Sequence, residues 1–135
     1  MKTAILLIAH GSRHAPANDD LRDLARRIAE GGEGQGDAPI VEASFLELAE
    51  PDIATGADHC IALGASRVVM VPYFLSAGVH LRRDLTAARD ELAGRHPGVE
   101  FRLGLPLGPD PLLDLLIRER IRQATEGLPL PETRE

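Results

Sequence analysis

Apolar positions along the chain fall into short blocks of two alternating kinds. Residues 3–9 (Thr-Ala-Ile-Leu-Leu-Ile-Ala) form an unbroken apolar run that stops at the turn His10-Gly11-Ser12, the pattern of a strand buried on both faces. Behind Asn18 or Asp19, either of which serves as an N-cap, Leu21, Leu24, Ala25 and Ile28 recur at helical spacing. The glycine-rich segment 31–36 ends that helix in a loop. Residues 40–46 alternate apolar and polar and lead through Phe45-Leu46-Glu47 to Pro51, which suits the first turn of a second helix. Ile53, Ala57, Cys60 and Ile61 line one side of it, and Gly64 stops it. Residues 67–72 read as another fully apolar strand, followed by a loop over 73–83. A third helix is expected from Asp84, with Leu85, Ala88 and Leu92 inward and His96-Pro97-Gly98 closing it. Residues 99–103 form the fourth strand and 106–109 a loop. Asp110 then caps a last helix opened by Pro111, with Leu112, Leu113, Leu116, Ile117 and Ile121 on its apolar side.

A strand and a helix alternating four times indicate an α/β fold, a four-stranded parallel sheet with helices on both faces. The expected layout is a single flavodoxin-like domain over residues 1–126. Residues 127–135, with two prolines and little to bury, read as a tail or a partner-binding arm. In such sheets the working groups sit on loops beyond the carboxyl ends of the strands. That rule selects residues 10–14, Glu47 and residues 73–83.

Composition narrows the classes of function. At 135 residues, 44% hydrophobic and 27% charged, the chain has the usage of one folded domain. A net charge of −6 and only 3% aromatic residues argue against a nucleic-acid partner, which needs a clustered basic surface or stacking platforms. The N-terminal apolar run is too short for a signal peptide, and no stretch reaches the roughly 18 apolar residues that cross a bilayer. A cytoplasmic protein without membrane attachment is therefore expected. Cys60 stands alone, so no internal disulfide forms, and its apolar helical position reads as core.

His10 and His80 fall in the selected loops, with Glu47 between them in the chain. Imidazole suits cobalt, nickel, iron and zinc, and two histidines with one carboxylate leave coordination positions open for exchange. Gly11 and Gly78 suit close approach of backbone to a ligand, although a glycine after a strand is also ordinary turn chemistry. Ser12 and the helix start behind it offer donors for an anion. Arg82 and Arg83 are read just ahead of a helix N-terminus, where the dipole disfavours positive charge, so an acidic ligand would explain them. With Arg13 they make a positive rim suited to a polycarboxylate, the alternative being that all three are solvated loop arginines.

His10-Gly11-Ser12-Arg13, Phe45-Leu46-Glu47 with Pro51, and Val71-Pro72-Tyr73-Phe74-Leu75 followed by Gly78 and His80 resemble the CbiX and SirB sirohydrochlorin chelatases of the class II chelatase family. The stretch Gly104-Leu105-Pro106-Leu107-Gly108 is similar to that family as well. The resemblance implies ATP-independent insertion of cobalt or iron into sirohydrochlorin, toward cobalamin or sirohaem, with nickel inserted by archaeal relatives. It implies that His10 and His80 are the metal-binding and catalytic histidines and Glu47 the acidic ligand. It also implies a divalent metal as co-substrate, no organic cofactor, and a short form that works as a homodimer. Arg13, Arg82 and Arg83 would meet the carboxylates of the macrocycle, with Ser12 beside them. A rival reading keeps the same fold and residues in a non-catalytic metal- or tetrapyrrole-binding carrier. A nucleotide binder fits less well, because the loop after the first strand lacks a glycine-rich phosphate pattern.

Overall fold

The computed structural model describes residues 2–31 and 39–128. Apart from Gly31, the expected glycine loop lies outside the described residues, as does the expected tail beyond Leu128. The chain runs β1 (Thr3–Ala9), α1 (Ala15–Glu30), β2 (Ile40–Phe45), α2 (Ile53–Ala62), β3 (Arg67–Pro72), α3 (Val79–Arg95), β4 (Glu100–Leu103) and α4 (Pro111–Thr125). The four strands form one parallel sheet in the order β2-β1-β3-β4. This is the expected α/β architecture, and β1 is central because its run is apolar on both faces.

Alternation along β1 divides the core in two. Ala4, Leu6 and Ile8 pack with Val68 and Met70 against Ala57 and Cys60 of α2 and Leu85 and Leu92 of α3. Leu7 packs with Ala43 and Phe45 against Leu21 and Ala25 of α1 on the other side. Helices therefore cover both faces, α1 on one and α2 and α3 on the other. Among the described residues no helix is long and apolar enough to cross a membrane.

Helix starts differ from expectation at three places. Helix α1 begins at Ala15, with His14 at the cap position and Pro16 in its first turn, so neither Asn18 nor Asp19 is the cap. Proline with its preset φ starts the helix earlier than a polar cap would. At α2, Pro51 precedes the helix, and Asp52 is the cap, its Oδ1 accepting the Thr55 N–H at 2.8 Å. Helix α3 begins at Val79 behind Gly78, not at Asp84. Leu81 explains the earlier start, since it packs on the same core cluster as Leu85 and extends the inward stripe by one turn.

The last helix is the exception to the packing. Asp110 caps it and Pro111 opens it as expected, yet α4 buries no residue, and Leu112, Leu115, Leu116, Ile117 and Ile121 are all exposed. On the α1 face, Val69 and Val71 of β3 remain half-buried.

Candidate metal centre

In the parallel register Ala9 lies opposite Phe45, so the next residues of both chains leave the sheet side by side. The ladder continues one step into the loops: the Leu46 N–H donates to the Ala9 carbonyl and the Glu47 N–H to the His10 carbonyl, both at 3.0 Å. His10 and Glu47 are thus set against each other by backbone. Their side chains meet, with His10 Nε2 2.9 Å from Glu47 Oε1. Both stay open to solvent, 61% and 59% exposed.

Three local features hold this pair. Gly11 has φ +98°, and a Cβ there would lie 1.8 Å from the Glu47 carbonyl oxygen. Only glycine permits both the backbone conformation and the approach. The loop carrying Glu47 closes on itself, since the Phe45 N–H donates to the Pro51 carbonyl at 2.9 Å. Arg22 of α1 clamps the same loop by donating to the Glu50 carbonyl at 2.7 Å, its guanidinium 5.2 Å from the centre of the Phe45 ring. Within that loop Leu48 has φ +66° and is half exposed. Strain of this kind persists only where surrounding contacts over-determine the backbone. Gly78, in contrast, has ordinary φ and nothing within 4 Å of a built Cβ, so no close approach requires glycine there.

Ser12 is more occupied than the sequence suggests. Its N–H donates to Asn18 Oδ1 at 2.9 Å, its carbonyl accepts from Asn18 Nδ2 at 2.7 Å, and its Oγ accepts the His14 N–H at 3.0 Å. The amide is unavailable to an anion, and only the hydroxyl proton remains to be donated. Asn18, buried and reaching back six residues, organises the 10–14 loop. Sequence reasoning saw a polar residue near a helix start and assigned it the wrong partner.

His80 is the second residue of α3 and exposed, while Arg82 and Arg83 lie within that helix and not ahead of it. Arg13 is exposed in the turn after Ser12. Among the described residues no group of three or more His, Cys, Asp or Glu side chains is close enough to hold a metal ion. The structure therefore joins His10 to Glu47 and does not gather His80 into that pair. The sheet nevertheless places all three at one edge, since β1, β2 and β3 run parallel and each residue follows the carboxyl end of its strand. Exposed apolar side chains lie at this edge, Leu48, Tyr73, Leu75 and Leu105 in loops and Val79 at the start of α3.

Known proteins share this fold and much of this sequence. The Bacillus subtilis sirohydrochlorin ferrochelatase is 34% identical over 99% of this chain and 49% of its own length. For the Priestia megaterium sirohydrochlorin cobaltochelatase the values are 34%, 93% and 39%. The chain thus spans about half the length of these two relatives or less. The Methanopyrus kandleri sirohydrochlorin cobaltochelatase is 30% identical over 90% of this chain and 96% of its own. Among solved structures, a cobalamin biosynthesis CbiX protein from Marinobacter aquaeolei superposes with a TM-score of 0.76 at 34% identity, covering 92% of this chain and 98% of that one. SirB from Bacillus subtilis with Fe3+ superposes with a TM-score of 0.74 at 34% identity, over 92% of this chain and 48% of its own. The CbiX family profile matches residues 4–124, and the chain belongs to the CbiX family.

Proposed function

We propose that the protein inserts a divalent metal ion, cobalt or iron, into sirohydrochlorin without ATP, as a chelatase of cobalamin or sirohaem synthesis. The observation that carries this reading is the exposed His10–Glu47 pair. Metal bonds of about 2.1 Å to nitrogen and oxygen at a right angle put the two donors about 3.0 Å apart, and the side chains already stand 2.9 Å apart. An ion entering there would take the place between the two side chains. Two protein donors leave most of the coordination shell open, and the pyrrole nitrogens can enter it as the ion leaves. His80, at the start of α3 behind the neighbouring strand, is assigned as third ligand; the two pyrrole protons that leave as the metal enters pass to donors that the ion vacates, one to the His80 imidazole and one to the His10–Glu47 pair. The apolar loop residues suit the face of a macrocycle, and Arg13, Arg82 and Arg83 suit its carboxylates, with the Ser12 hydroxyl beside them.

On this reading the metal is a co-substrate, no organic cofactor takes part, and residues 1–126 work as one domain in the cytoplasm. The alternative of a metal or tetrapyrrole carrier keeps the same contacts and differs only in rate. Insertion of cobalt into sirohydrochlorin, followed by absorbance with and without protein, separates the two. His10→Ala and His80→Ala should each abolish most insertion with unchanged circular dichroism. Glu47→Gln should weaken cobalt binding, whereas Glu50→Gln should not. Wild-type rates in any of the first three variants would refute the assignment of that residue.

The α4 surface supports a homodimer. Its exposed leucines and isoleucines amount to several hundred Å², the scale of the roughly 800 Å² that each partner gives a standard interface. The half-buried Val69 and Val71 of a second copy offer a matching apolar surface. Light scattering should find a dimer at micromolar concentration and a monomer for Ile117→Glu. A monomeric wild-type chain would refute this assignment.

A further inference from the structure

At the carboxyl ends of β3 and β4 a cavity of about 210 Å³ opens against the first half of α3. Pro72, Leu85 and Leu103 form apolar walls, and Arg82, Thr86 and Arg89 supply the polar side. These last three recur at i, i+4 and i+7, so they form one stripe along the helix. No acidic side chain lines the cavity. Among the described residues the Arg82 guanidinium has no hydrogen bond or ion pair, and Arg89 pairs only with the adjacent Asp90, at 3.0 Å, leaving donors unused. In a chain of net charge −6, two arginines share a cleft with no counter-charge inside it.

We propose that this cavity is a subsite for one carboxylate-bearing arm of the macrocycle, in which Arg89 and Thr86 are specificity-determining residues together with Arg82. This rests on the chelatase reading above. Its size decides the occupant: a cleft that encloses a whole drug-sized ligand has roughly 300–1,000 Å³, so 210 Å³ takes a substituent and leaves the ring outside. The apolar walls accept the methylene stem of such an arm, and guanidinium forks and the Thr86 hydroxyl bind its carboxylate. Arg83 does not line the cavity, so its proposed contact with the macrocycle would lie outside this subsite. The wall of the subsite includes Gly104, whose N–H donates to the Met70 carbonyl at 2.8 Å, so the β4 loop is fixed to β3 where the arm would enter.

The experiment compares wild type, Arg89→Met, Arg89→Lys and the remote control Arg27→Met by titration with metal-free sirohydrochlorin and by steady-state cobalt insertion. Arg89→Met should raise Kd and KM about tenfold, equivalent to about 1.4 kcal/mol, with kcat and cobalt affinity held. Arg89→Lys should recover at least half of the loss on a logarithmic scale, and Arg27→Met should match wild type. If wild type inserts cobalt and Arg89→Met keeps wild-type Kd and KM, the subsite is wrong and the chelatase reading stands. If wild type binds sirohydrochlorin without inserting metal and Arg89→Met loses that binding, the chelatase reading is wrong and the subsite stands. A fall in kcat equal to the rise in KM, or a lowered melting temperature in Arg89→Met, would overturn the binding role in favour of a structural one.

Discussion

Replacing Gly11 by alanine tests whether backbone geometry makes the His10–Glu47 pair proposed to hold the metal. The new Cβ would stand 1.8 Å from the Glu47 carbonyl oxygen and 3.0 Å from its carbon, in a residue with φ +98°. Holding alanine on the left-handed side costs about 1–2 kcal/mol. The overlap cannot be tolerated in place, so the 10–12 and 46–48 segments must separate by more than an ångström. That separation breaks the Glu47 N–H bond to the His10 carbonyl, now 3.0 Å long, and costs about 1 kcal/mol more. The sum, about 2–3 kcal/mol, corresponds to a melting temperature lowered by roughly 7–11 °C. The larger effect falls on the site, because His10 Nε2 and Glu47 Oε1 can no longer meet at 2.9 Å. Cobalt affinity, read by calorimetry at a temperature where the variant is folded, should fall at least tenfold. Gly78→Ala is the control, since ordinary φ and open space predict a melting temperature and cobalt affinity near wild type. Wild-type stability and cobalt binding in Gly11→Ala would refute the claim that the close approach positions the pair.

Other outcomes follow from the same structure. Hydrogen bonding from the Thr55 backbone and side chain holds the Asp52 carboxyl below its ordinary range, so this stabilisation is complete at neutral pH and is lost as pH falls through the lowered value. Asp52→Ala should cost about 1 kcal/mol at neutral pH, with a gap from wild type that closes on acidification; a constant gap in urea titrations across pH would contradict this. Burial pushes the Cys60 thiol up to about 12, so iodoacetamide at pH 8 should modify it only as fast as the protein unfolds. Rapid labelling of the native protein, seen by mass spectrometry, would place Cys60 outside the core. At Gly56 a Cβ would meet Leu6 Cδ1 at 2.9 Å and Ser44 Cβ at 3.1 Å. Gly56→Ala should therefore destabilise by about 1–3 kcal/mol despite the better helix propensity of alanine, and a more stable variant in urea unfolding would show that α2 can shift.

The strands were legible because a parallel strand buried on both faces must be apolar throughout, as residues 4–8 are. The location of the donors was legible for a related reason: in a parallel sheet every strand delivers its following loop to the same edge. Helix starts were less so. A single leucine, Leu81, moves the beginning of α3 five residues ahead of Asp84, and one apolar residue in a polar segment carries little signal before its core contacts are known. Asn18 was misread because its partners, the amide and carbonyl of Ser12, are chosen by the shape of a turn and not by helix periodicity. The apolar stripe of α4 was visible, but a stripe states that a surface needs covering and not which surface covers it. The pairing of His10 with Glu47 depends on register between β1 and β2, and register is a property of two segments that neither carries alone.

That dependence bears on why the proposed metal site would suit transfer more than storage. A storage site surrounds its ion with side chains buried and hydrogen-bonded in place, so that leaving costs several bonds at once. Here the order resides in the backbone: Gly11, the closed 45–51 loop and the Arg22 clamp hold the two Cα positions, while the His10 and Glu47 side chains remain more than half exposed. On the proposed reading, an ion bound to them would meet solvent on its remaining sides, and each solvent position is one that a pyrrole nitrogen can take. On the proposed chelatase reading, two exposed donors on an ordered backbone would combine weak retention of the ion with fixed geometry, which is what a metal donor to a strongly chelating macrocycle requires.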